Sequence, residues 1–309
     1  MTSPSISVII PTHNRPGGLA AAVNSVFNQT LLPKELIVVD DGSTPPVSKE
    51  VFIGCPGGLS TKLLRNDSPK GANNARNRGI KEATGEWIAF LDDDDEFFPE
   101  KIKVVSQAIN EKGAPVDVIY HPAHIFMVNE GLSYISKPKC FGHQEDIFRQ
   151  LLIKNHIGGT PMVVVRKSAL LSVGMFDEQL PALQDYELWL RLAKNNQRFF
   201  LLEKPLTKYH HITKAKSITG SEEAGLKALS AIEQKYADAF AGLTKKERSR
   251  FEMRKQNRLI RIALLGKKNF LASKLFWNGF VKFKKIKYLA GAMVSLLGSK
   301  AVFWLRANR

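Results

Sequence analysis

The chain is poor in cysteine and has no long uninterrupted apolar stretch. Its two cysteines, Cys55 and Cys140, are 85 positions apart and have no histidine or cysteine at metal-ligand spacing, which argues against a disulfide framework and a zinc site. The apolar run over residues 288–298 has 11 residues, fewer than the roughly 20 that a membrane-spanning helix needs. No secretory signal pattern opens the sequence, so we expect a reducing, cytoplasmic location.

Acidic residues are almost absent from the last 65 positions. Residues 245–309 contain 18 lysines and arginines but only two acids, Glu247 and Glu252. The other 244 residues contain 27 basic and 27 acidic side chains, so the formal net charge of +16 lies entirely in the C-terminal part. A neutral part followed by a strongly basic part indicates two units with different roles.

Short apolar runs alternate with helix-period segments over the first 120 residues, the pattern of βαβ units around a mostly parallel sheet. The runs at residues 6–10 and 35–40 are almost continuously apolar, as strands covered by helices on both faces require. Antiparallel strands are expected further on, near residues 125–128 and 162–166. We therefore predict a Rossmann-like α/β domain with helices on both faces of its sheet, followed by a helical basic extension. The predicted boundary divides the chain into 1–215 and 216–309.

Polar clusters follow three of the predicted strands at the point where each strand ends. In an open parallel sheet, ligands bind beyond the carboxyl ends of the strands, so the clusters are expected to face one crevice. The clusters are Pro11-Thr12-His13-Asn14, Asp40-Asp41-Gly42-Ser43 and Asp92-Asp93-Asp94-Asp95.

The acidic run at residues 92–95 follows a strand that is apolar enough to be buried, which fixes its position and disfavours a merely solvated turn. Consecutive carboxylates repel one another unless a cation or hydrogen-bond donors neutralise them. Mg²⁺ and Mn²⁺ prefer oxygen ligands and bind through one or two carboxylates together with phosphate oxygens. A calcium loop of the EF-hand type does not fit, because Phe97 and Lys103 stand where that loop needs its glycine and glutamate. The run predicts a Mg²⁺ or Mn²⁺ site for a phosphate-bearing ligand.

Four segments, in this order, resemble the signatures of the family 2 inverting glycosyltransferases, which have the GT-A fold. The resemblance covers about residues 5–210 and implies a metal-dependent, hexosyltransferase-type enzyme that uses a nucleotide-sugar donor, with UDP as the expected nucleotide. The segments are Ser7-Val8-Ile9-Ile10-Pro11-Thr12-His13-Asn14-Arg15, Val38-Val39-Asp40-Asp41-Gly42-Ser43-Thr44, Ala75-Arg76-Asn77-Arg78-Gly79-Ile80 and Phe90-Leu91-Asp92-Asp93-Asp94-Asp95.

The first two segments imply the nucleoside site. In the family, the second aspartate of the Asp-Asp pair accepts hydrogen bonds from the base or ribose, a role that falls on Asp41 here. Pro11 and His13 match positions that line the base, and Thr12 and Asn14 belong to the same strand end; His13 stands where relatives often have tyrosine. The alternative for Asp41 is a turn-forming aspartate in an Asp-Gly-Ser sequence.

The other two segments imply the diphosphate and metal site. Arg76 enters a predicted helix, whose N-terminus suits anions, and could approach the diphosphate; the alternative is a solvated helix arginine. The resemblance favours Asp94 as the direct metal ligand. Asp92 or Asp93 would contact the ribose or a metal-bound water.

A later segment, residues 184–192, resembles the family's Glu-Asp segment, whose aspartate is the general base in inverting transfer. The resemblance assigns that role to Asp185, with Gln184 in place of the usual glutamate. Glu187 is the alternative base, and a helix-capping aspartate is the alternative interpretation of Asp185. His210 and His211 are further candidates for contact with phosphate or metal.

The basic tail interleaves lysine and arginine with tryptophan, phenylalanine and leucine in helical segments, which suits an anionic membrane surface. A helical appendage with solvated lysines is the alternative, and nucleic-acid binding is disfavoured because the aromatic residues lie among aliphatic ones. We expect a peripheral enzyme at the inner face of the cell membrane that acts on a glycan or lipid-linked acceptor in surface polysaccharide or lipopolysaccharide synthesis. The rival hypotheses are a metal-dependent nucleotidyltransferase and a basic nucleic-acid-binding protein with a degenerate sugar-nucleotide domain.

Overall fold

A computed structural model describes residues 4–112, 116–129, 131–142, 145–211, 222–298 and 302. In chain order the strands are β1 Ile6–Thr12, β2 Glu35–Asp40, β3 Ser60–Arg65, β4 Trp87–Phe90, β5 Glu96–Phe97, β6 Val118–Tyr120, β7 Ala123–Met127, β8 Leu132–Ile135, β9 Val163–Arg166, β10 Phe199–Leu201 and β11 Thr207–His211. The helices are α1 Pro16–Phe27, α2 Ala72–Glu82, α3 Lys101–Lys112, α4 Ile147–Ile153, α5 Lys167–Ser172, α6 Gln184–Lys194, α7 Glu222–Lys235, α8 Ala237–Ala241, α9 Lys245–Leu265, α10 Asn269–Phe283 and α11 Ile286–Ser295.

The described residues form a large mixed sheet in the order β10-β6-β9-β4-β1-β2-β3. Strand β1 is parallel to β2 and to β4, and β2 is parallel to β3. Strand β9 runs antiparallel to both β4 and β6. The predicted α/β fold with a mostly parallel sheet is therefore confirmed, as is the antiparallel strand expected near residues 162–166. The expected strand near residues 125–128 is β7, which pairs antiparallel with β8.

Both faces of the large sheet are covered, which explains the continuous apolarity of its central strands. Val8 and Ile10 of β1 pack into one core with Leu19 of α1, while Ile9 packs into the opposite core with Ile80 of α2. All of these side chains are at most 2% exposed, and burial of each is worth about 1.5–3 kcal/mol relative to exposure. The central strands are thereby fixed, and so are the loops at their carboxyl ends.

A small second sheet, in the order β5-β11-β7-β8, lies beyond the end of β4. Strand β5 directly follows the acidic run and pairs antiparallel with β11, with Thr207 opposite Phe97. This pairing brings the C-terminal half of β11, which contains His210, next to the acidic run.

The basic C-terminal helices do not pack as one separate unit. Ile232, Tyr236 and Phe251, from α7 to α9, share a core with Trp189 of α6. The second half of α9 instead forms its own core with α10 and α11, centred on Phe276. The predicted boundary at residues 215 and 216 lies outside the described residues. Within the described part of the chain, no helix combines the length and the apolarity needed to cross a bilayer.

Candidate active site

The three polar strand ends lie side by side, as the parallel sheet predicts. The Thr12 hydroxyl donates to Asp93 Oδ2 at 2.7 Å, which joins the end of β1 to the acidic run. The Asp41 amide donates to the Thr12 carbonyl at 2.9 Å, and the Asn14 amide donates to Ser43 Oγ at 3.0 Å. These hydrogen bonds connect the ends of β1, β2 and β4 around one crevice.

The carboxylates of the acidic run alternate between the crevice and the protein interior. The side chains of Asp92 and Asp94 are 25% and 30% exposed, whereas Asp93 and Asp95 are buried. A close contact holds the loop in place: a Cβ atom on Gly18 of α1 would lie 2.3 Å from the Asp93 carbonyl oxygen, so only glycine fits there. The crevice-facing pair is therefore Asp92 and Asp94.

Two arginines pair with the acidic run. Arg15 Nη1 lies 2.8 Å from Asp94 Oδ2 and 3.1 Å from Asp93 Oδ1. Arg76 Nη2 lies 2.5 Å from Asp92 Oδ1, and its guanidinium stacks 5.5 Å from the centroid of the Phe176 ring. Arg76 is thus part of the site and is not a solvated helix residue. Arg15 was not singled out from the sequence, although it closes the first of the four family-like segments.

Burial and mutual repulsion raise the pKa values of Asp93 and Asp94 in spite of the arginines. For Asp94, burial is the main cause, followed by the charge of Asp92. For Asp93, burial again dominates and both neighbouring carboxylates add to it. Ionisation of both carboxylates is therefore unfavourable, and a bound cation would offset that cost.

The residues present fit a divalent ion that is held jointly with a ligand. Asp94, and next to it Asp92, offer the exposed carboxylate oxygens of the run. Among the described residues, no group of three or more His, Cys, Asp or Glu side chains is placed to hold an ion by itself. An ion here would complete its shell with phosphate oxygens and water, as Mg²⁺ does when it binds through one or two carboxylates.

Asp95 supports the run from below. Its Oδ1 accepts the His210 amide at 2.7 Å, and the His210 ring bonds through Nδ1 to the Asp94 carbonyl at 2.9 Å. Beneath it, fully buried Lys101 donates to the Pro161 carbonyl at 2.6 Å. His210 therefore contacts the acidic run through both its amide and its ring, and these two hydrogen bonds hold the loop in shape.

Asp41 is anchored at the N-terminus of α2. Its Oδ1 accepts from Asn66 Nδ2 at 2.7 Å and from the Lys70 amide at 2.9 Å, and its Oδ2 accepts the Gly71 amide at 2.7 Å. The turn after β2 is instead held by Asp40, which accepts the Ser43 amide. Since a carboxylate oxygen can accept two hydrogen bonds, Oδ2 of Asp41 retains one acceptor position for a ligand.

His13 lies exposed at the mouth of the crevice, beyond buried Pro11. Its Nδ1 lies 2.8 Å from the Asp41 carbonyl oxygen, which can only accept, so Nδ1 carries the proton. Its Nε2 then accepts from Asn14 Nδ2 at 2.9 Å. The ring is thereby held at the same strand end as Asp41.

Asp185 is the second residue of α6, which begins at Gln184 after Leu183 in a left-handed conformation. Its Oδ1 accepts the amide of Tyr186 at 2.7 Å, and a Cβ atom on Gly159 would lie 3.8 Å from its Oδ2. The N-cap position is occupied by Leu183, whose side chain makes no capping bond, so Asp185 is not the N-cap residue.

Burial is the main cause of the raised pKa of Asp185. The charge of Asp92 raises it further, while Arg76 and Arg258 oppose the shift. Asp185 is therefore within electrostatic reach of the acidic run. Thr160 connects the two, because it follows Gly159 and directs its hydroxyl to Asp92 Oδ2 at 3.3 Å.

Glu187 faces away from the crevice. It is fully buried and accepts from Arg191 Nε at 2.9 Å, from Lys235 Nζ at 2.7 Å and from the Tyr236 hydroxyl at 3.2 Å. These partners join α6 to the C-terminal helices. Glu187 therefore serves the packing of the domain, and Asp185 is the carboxylate of this segment that lies at the site.

The sequence model of the family described as "Glycosyl transferase family 2" matches residues 7–174, more than half of the chain. The chain belongs to glycosyl transferase family 2. The family expected from the four segments is thereby confirmed, and the protein is a glycosyltransferase.

This family 2 glycosyltransferase has relatives that match it over most of its length. It is 32% identical over 304 residues to an uncharacterized glycosyltransferase of Haemophilus influenzae, which covers 97% of this chain and 98% of the relative. It is 28% identical over 219 residues to the amylovoran biosynthesis glycosyltransferase AmsB of Erwinia amylovora, over 68% of this chain and 71% of the relative.

Solved structures share the fold of this glycosyltransferase. The crystal structure of S. aureus TarS 1-349 matches with a TM-score of 0.55 at 20% identity, over 94% of this chain and 90% of that one. The structure of the same protein in complex with UDP-GlcNAc matches with a TM-score of 0.57, also at 20% identity, over 94% of this chain and 79% of the other. The predicted GT-A fold is confirmed.

Proposed function

We propose that the protein is an inverting glycosyltransferase that transfers a sugar from a UDP-sugar to a hydroxyl group of a glycan or lipid-linked acceptor. The observation that carries the proposal is that Asp185, a carboxylate of raised pKa, lies in the same crevice as the acidic run. A base on one side and a diphosphate site on the other are what a direct displacement at the anomeric carbon requires.

The donor end of the crevice suits a nucleoside diphosphate. Asp41 has one free acceptor position for a base or ribose donor, and the His13 ring and Pro11 lie at the neighbouring strand end. The diphosphate would lie over Asp94 and Asp92, near the guanidinium of Arg76. UDP as the nucleotide is supported by the complex of TarS with UDP-GlcNAc.

Asp185 would take the proton of the acceptor hydroxyl as its oxygen forms a bond to the anomeric carbon. The bond from that carbon to the diphosphate breaks on the opposite side, UDP leaves, and the configuration inverts. Mg²⁺ or Mn²⁺, held by Asp94 with help from Asp92, would offset the charge that grows on the leaving diphosphate. Arg15, which pairs with Asp94, must release it when such an ion binds.

The donor proposal is tested with the purified full-length chain by thermal shift and by UDP release. UDP-sugars in the presence of Mn²⁺ are expected to raise the melting temperature, more than GDP- or dTDP-sugars do, and to release UDP. EDTA is expected to remove most of both effects. Absence of stabilisation or turnover with every nucleotide sugar, together with salt-sensitive DNA binding, would favour the nucleic-acid-binding alternative.

The C-terminal helices α10 and α11 support an acceptor at a membrane surface. They expose large apolar side chains, among them Phe270 (80%), Trp277 (52%) and Ile286 (74%). Exposed lysines such as Lys274 and Lys285 lie between them. Apolar side chains that enter the headgroup region, with lysines that attract anionic lipid, are typical of helices that lie on a membrane. AmsB, a relative named for amylovoran biosynthesis, supports a role in polysaccharide or lipopolysaccharide assembly at the inner face of the membrane.

Membrane binding is predicted to depend on Phe270 and Trp277. The wild-type protein is expected to sediment with phosphatidylglycerol vesicles, and the double variant Phe270→Ser/Trp277→Ser to bind them at least about tenfold more weakly, because each apolar side chain contributes roughly 1.5–3 kcal/mol on burial. Ile53→Ser is the matched control, since Ile53 is 76% exposed but lies outside these helices. Equal binding by the double variant and the control would contradict the prediction.

A further inference from the structure

Four arginines form a stripe along one side of α9. Arg250, Arg254, Arg258 and Arg261 follow one another at spacings of four, four and three residues, which places them on one helix face. Another face of the same helix carries Ile260, which packs with α10 and α11. Like charges at this spacing repel one another, so the stripe needs a counter-charge.

The middle of the stripe meets the end of α4. Arg254 Nη1 lies 3.5 Å from the Ile153 carbonyl oxygen, the last residue of that helix. Lys154 and His156 follow directly. Burial is the main cause of the lowered pKa of His156, about 4, and the charges of Lys154, Arg254 and Lys139 lower it further. Three basic side chains therefore act on the same buried ring.

Arg258 carries the stripe towards the general base. Its Nη2 lies 3.3 Å from the position that a Cβ atom on Gly225 of α7 would take, and its Nε is buried without a hydrogen-bond partner among the described residues. The charge of Arg258 also acts on Asp185: it lowers the pKa of that carboxyl group, against the effect of burial. The guanidinium thus packs against α7 and is within electrostatic reach of the proposed catalytic carboxylate.

Lys154, Arg254 and Arg258 form a basic cluster that has little negative charge near it. In the described part of the chain, no carboxylate lies within ion-pair distance of Lys154, Arg254 or Arg258. The pKa of each is lowered, chiefly by burial. A partly buried guanidinium without a carboxylate partner is costly, and a bound anion would offset that cost.

The position of the cluster indicates which anion it would bind. The diphosphate of the donor has its own partners on the far side of the crevice, at the acidic run and Arg76. The general base lies on the acceptor side in an inverting displacement, and the charge of Arg258 reaches that base. The loop over residues 154–160 runs from the basic cluster past Gly159 to Thr160, so the cluster and the site are joined by one short segment.

We propose that Arg254, Arg258 and Lys154 form a subsite for a phosphate group of the acceptor, close to the hydroxyl that Asp185 deprotonates. This inference rests on the proposed transferase function and names the substrate class of the same site. Guanidinium groups suit phosphate because their planar donors can form two parallel hydrogen bonds. The phosphate could belong to a phosphorylated glycan or to the lipid carrier.

The test measures binding to the full-length chain by calorimetry with UDP and Mn²⁺ present, so that the donor site is filled. Glucose 6-phosphate is compared with glucose, and hexyl phosphate with hexanol. We expect the wild type to bind at least one phosphorylated probe ten or more times more tightly than its neutral partner. Discrimination by glucose 6-phosphate alone would assign the phosphate to a glycan, and discrimination by hexyl phosphate alone to a lipid carrier.

Arg258→Gln is expected to abolish this discrimination, and Arg258→Lys to retain part of it. Arg248→Gln is the matched control, because Arg248 is an exposed arginine of the same helix outside the stripe. No discrimination by the wild type, or an equal loss in Arg248→Gln, would overturn the inference. UDP affinity separates the two proposals: if UDP binds and phosphate is not distinguished, only the subsite is wrong, whereas if no nucleotide binds, the transferase proposal fails as well.

Discussion

Asp185→Asn is expected to lower the rate of UDP release by roughly 10²–10⁴-fold, the usual contribution of a general base. Asparagine has nearly the same shape and can still accept the Tyr186 amide, but it cannot take a proton. Donor binding is expected to change by less than about threefold, because Asp41 and the acidic run are the proposed nucleotide-binding groups. Steady-state UDP release and calorimetry with UDP measure the two effects.

The pH profile gives a second test of the same role. A base must be ionised, and burial raises the pKa of Asp185 above the ordinary value of 3.8. The rate of the wild type is therefore expected to fall on acidification at a higher pH than an ordinary aspartate would produce. The residual rate of Asp185→Asn should lack this acidic limb if Asp185 is the group that titrates.

Glu187→Gln is the matched control, with the same carboxylate-to-amide change two residues further along α6. It breaks a buried ion cluster with Arg191 and Lys235, which costs about 3–5 kcal/mol of unfolding free energy, while the chemistry of the folded fraction is expected to remain close to that of the wild type. Full UDP release by Asp185→Asn would contradict the assignment of Asp185 as the base. Retained activity of this variant with release of pyrophosphate in place of UDP would favour a nucleotidyltransferase, which does not need this base.

The sequence predicts the crevice well because parallel strands dictate where their ends lie. Residues 6–10 and 35–40 have the pattern of buried parallel strands, and the carboxyl ends of parallel strands lie at one edge of a sheet. The clusters at Thr12, Asp41 and Asp94 are therefore expected to meet there. The formation of each strand follows from a local period in the sequence, and the apolar run at residues 162–166 likewise predicts the antiparallel strand β9. These are the features that short-range pattern determines.

Contacts between distant segments were not predictable in the same way. The pairing of Arg15 with Asp94 depends on how the turn into α1 closes over the acidic run, and Gly18 gives no separate signal for that approach. The burial of Glu187 depends on Lys235, which comes from a part of the chain whose charge suggested a separate unit. In the sequence, the arginine stripe of α9 has the pattern of a solvated helix face. Only the fold shows that Arg254 packs against the end of α4 and that the charge of Arg258 reaches Asp185.

Asp94→Asn is expected to reduce metal-dependent UDP release by about 10³-fold or more, since Asp94 is the proposed metal ligand and the ion carries much of the stabilisation of the leaving group. In EDTA the same variant is expected to be slightly more stable than the wild type. Thermal melts with EDTA, and with Mn²⁺ plus UDP, measure the stability, and UDP release measures the activity.

The sign of the stability change follows from the raised pKa of Asp94. A carboxyl group whose pKa is higher in the folded state stabilises the fold below its unfolded-state pKa, and that contribution is lost as the pH rises through the folded-state value. At neutral pH the ionised carboxylate of Asp94 therefore destabilises the fold. Its ion pair with Arg15 offsets at most about 1 kcal/mol of this cost, because Arg15 is half exposed. Asparagine removes that unfavourable charge.

Asp93→Asn separates the two possible registers of the acidic run. Asp93 is turned inwards onto Thr12 and Arg15, whereas Asp94 faces the crevice, so Asp93→Asn should keep most of the stabilisation by Mn²⁺ plus UDP that Asp94→Asn loses. The opposite order would mean that the loop turns by one residue when the ligand binds and that Asp93 holds the ion. The alternation of exposed and buried carboxylates argues against such a turn, because it would move Asp94 off the surface and break the backbone contact of Gly18 with the loop.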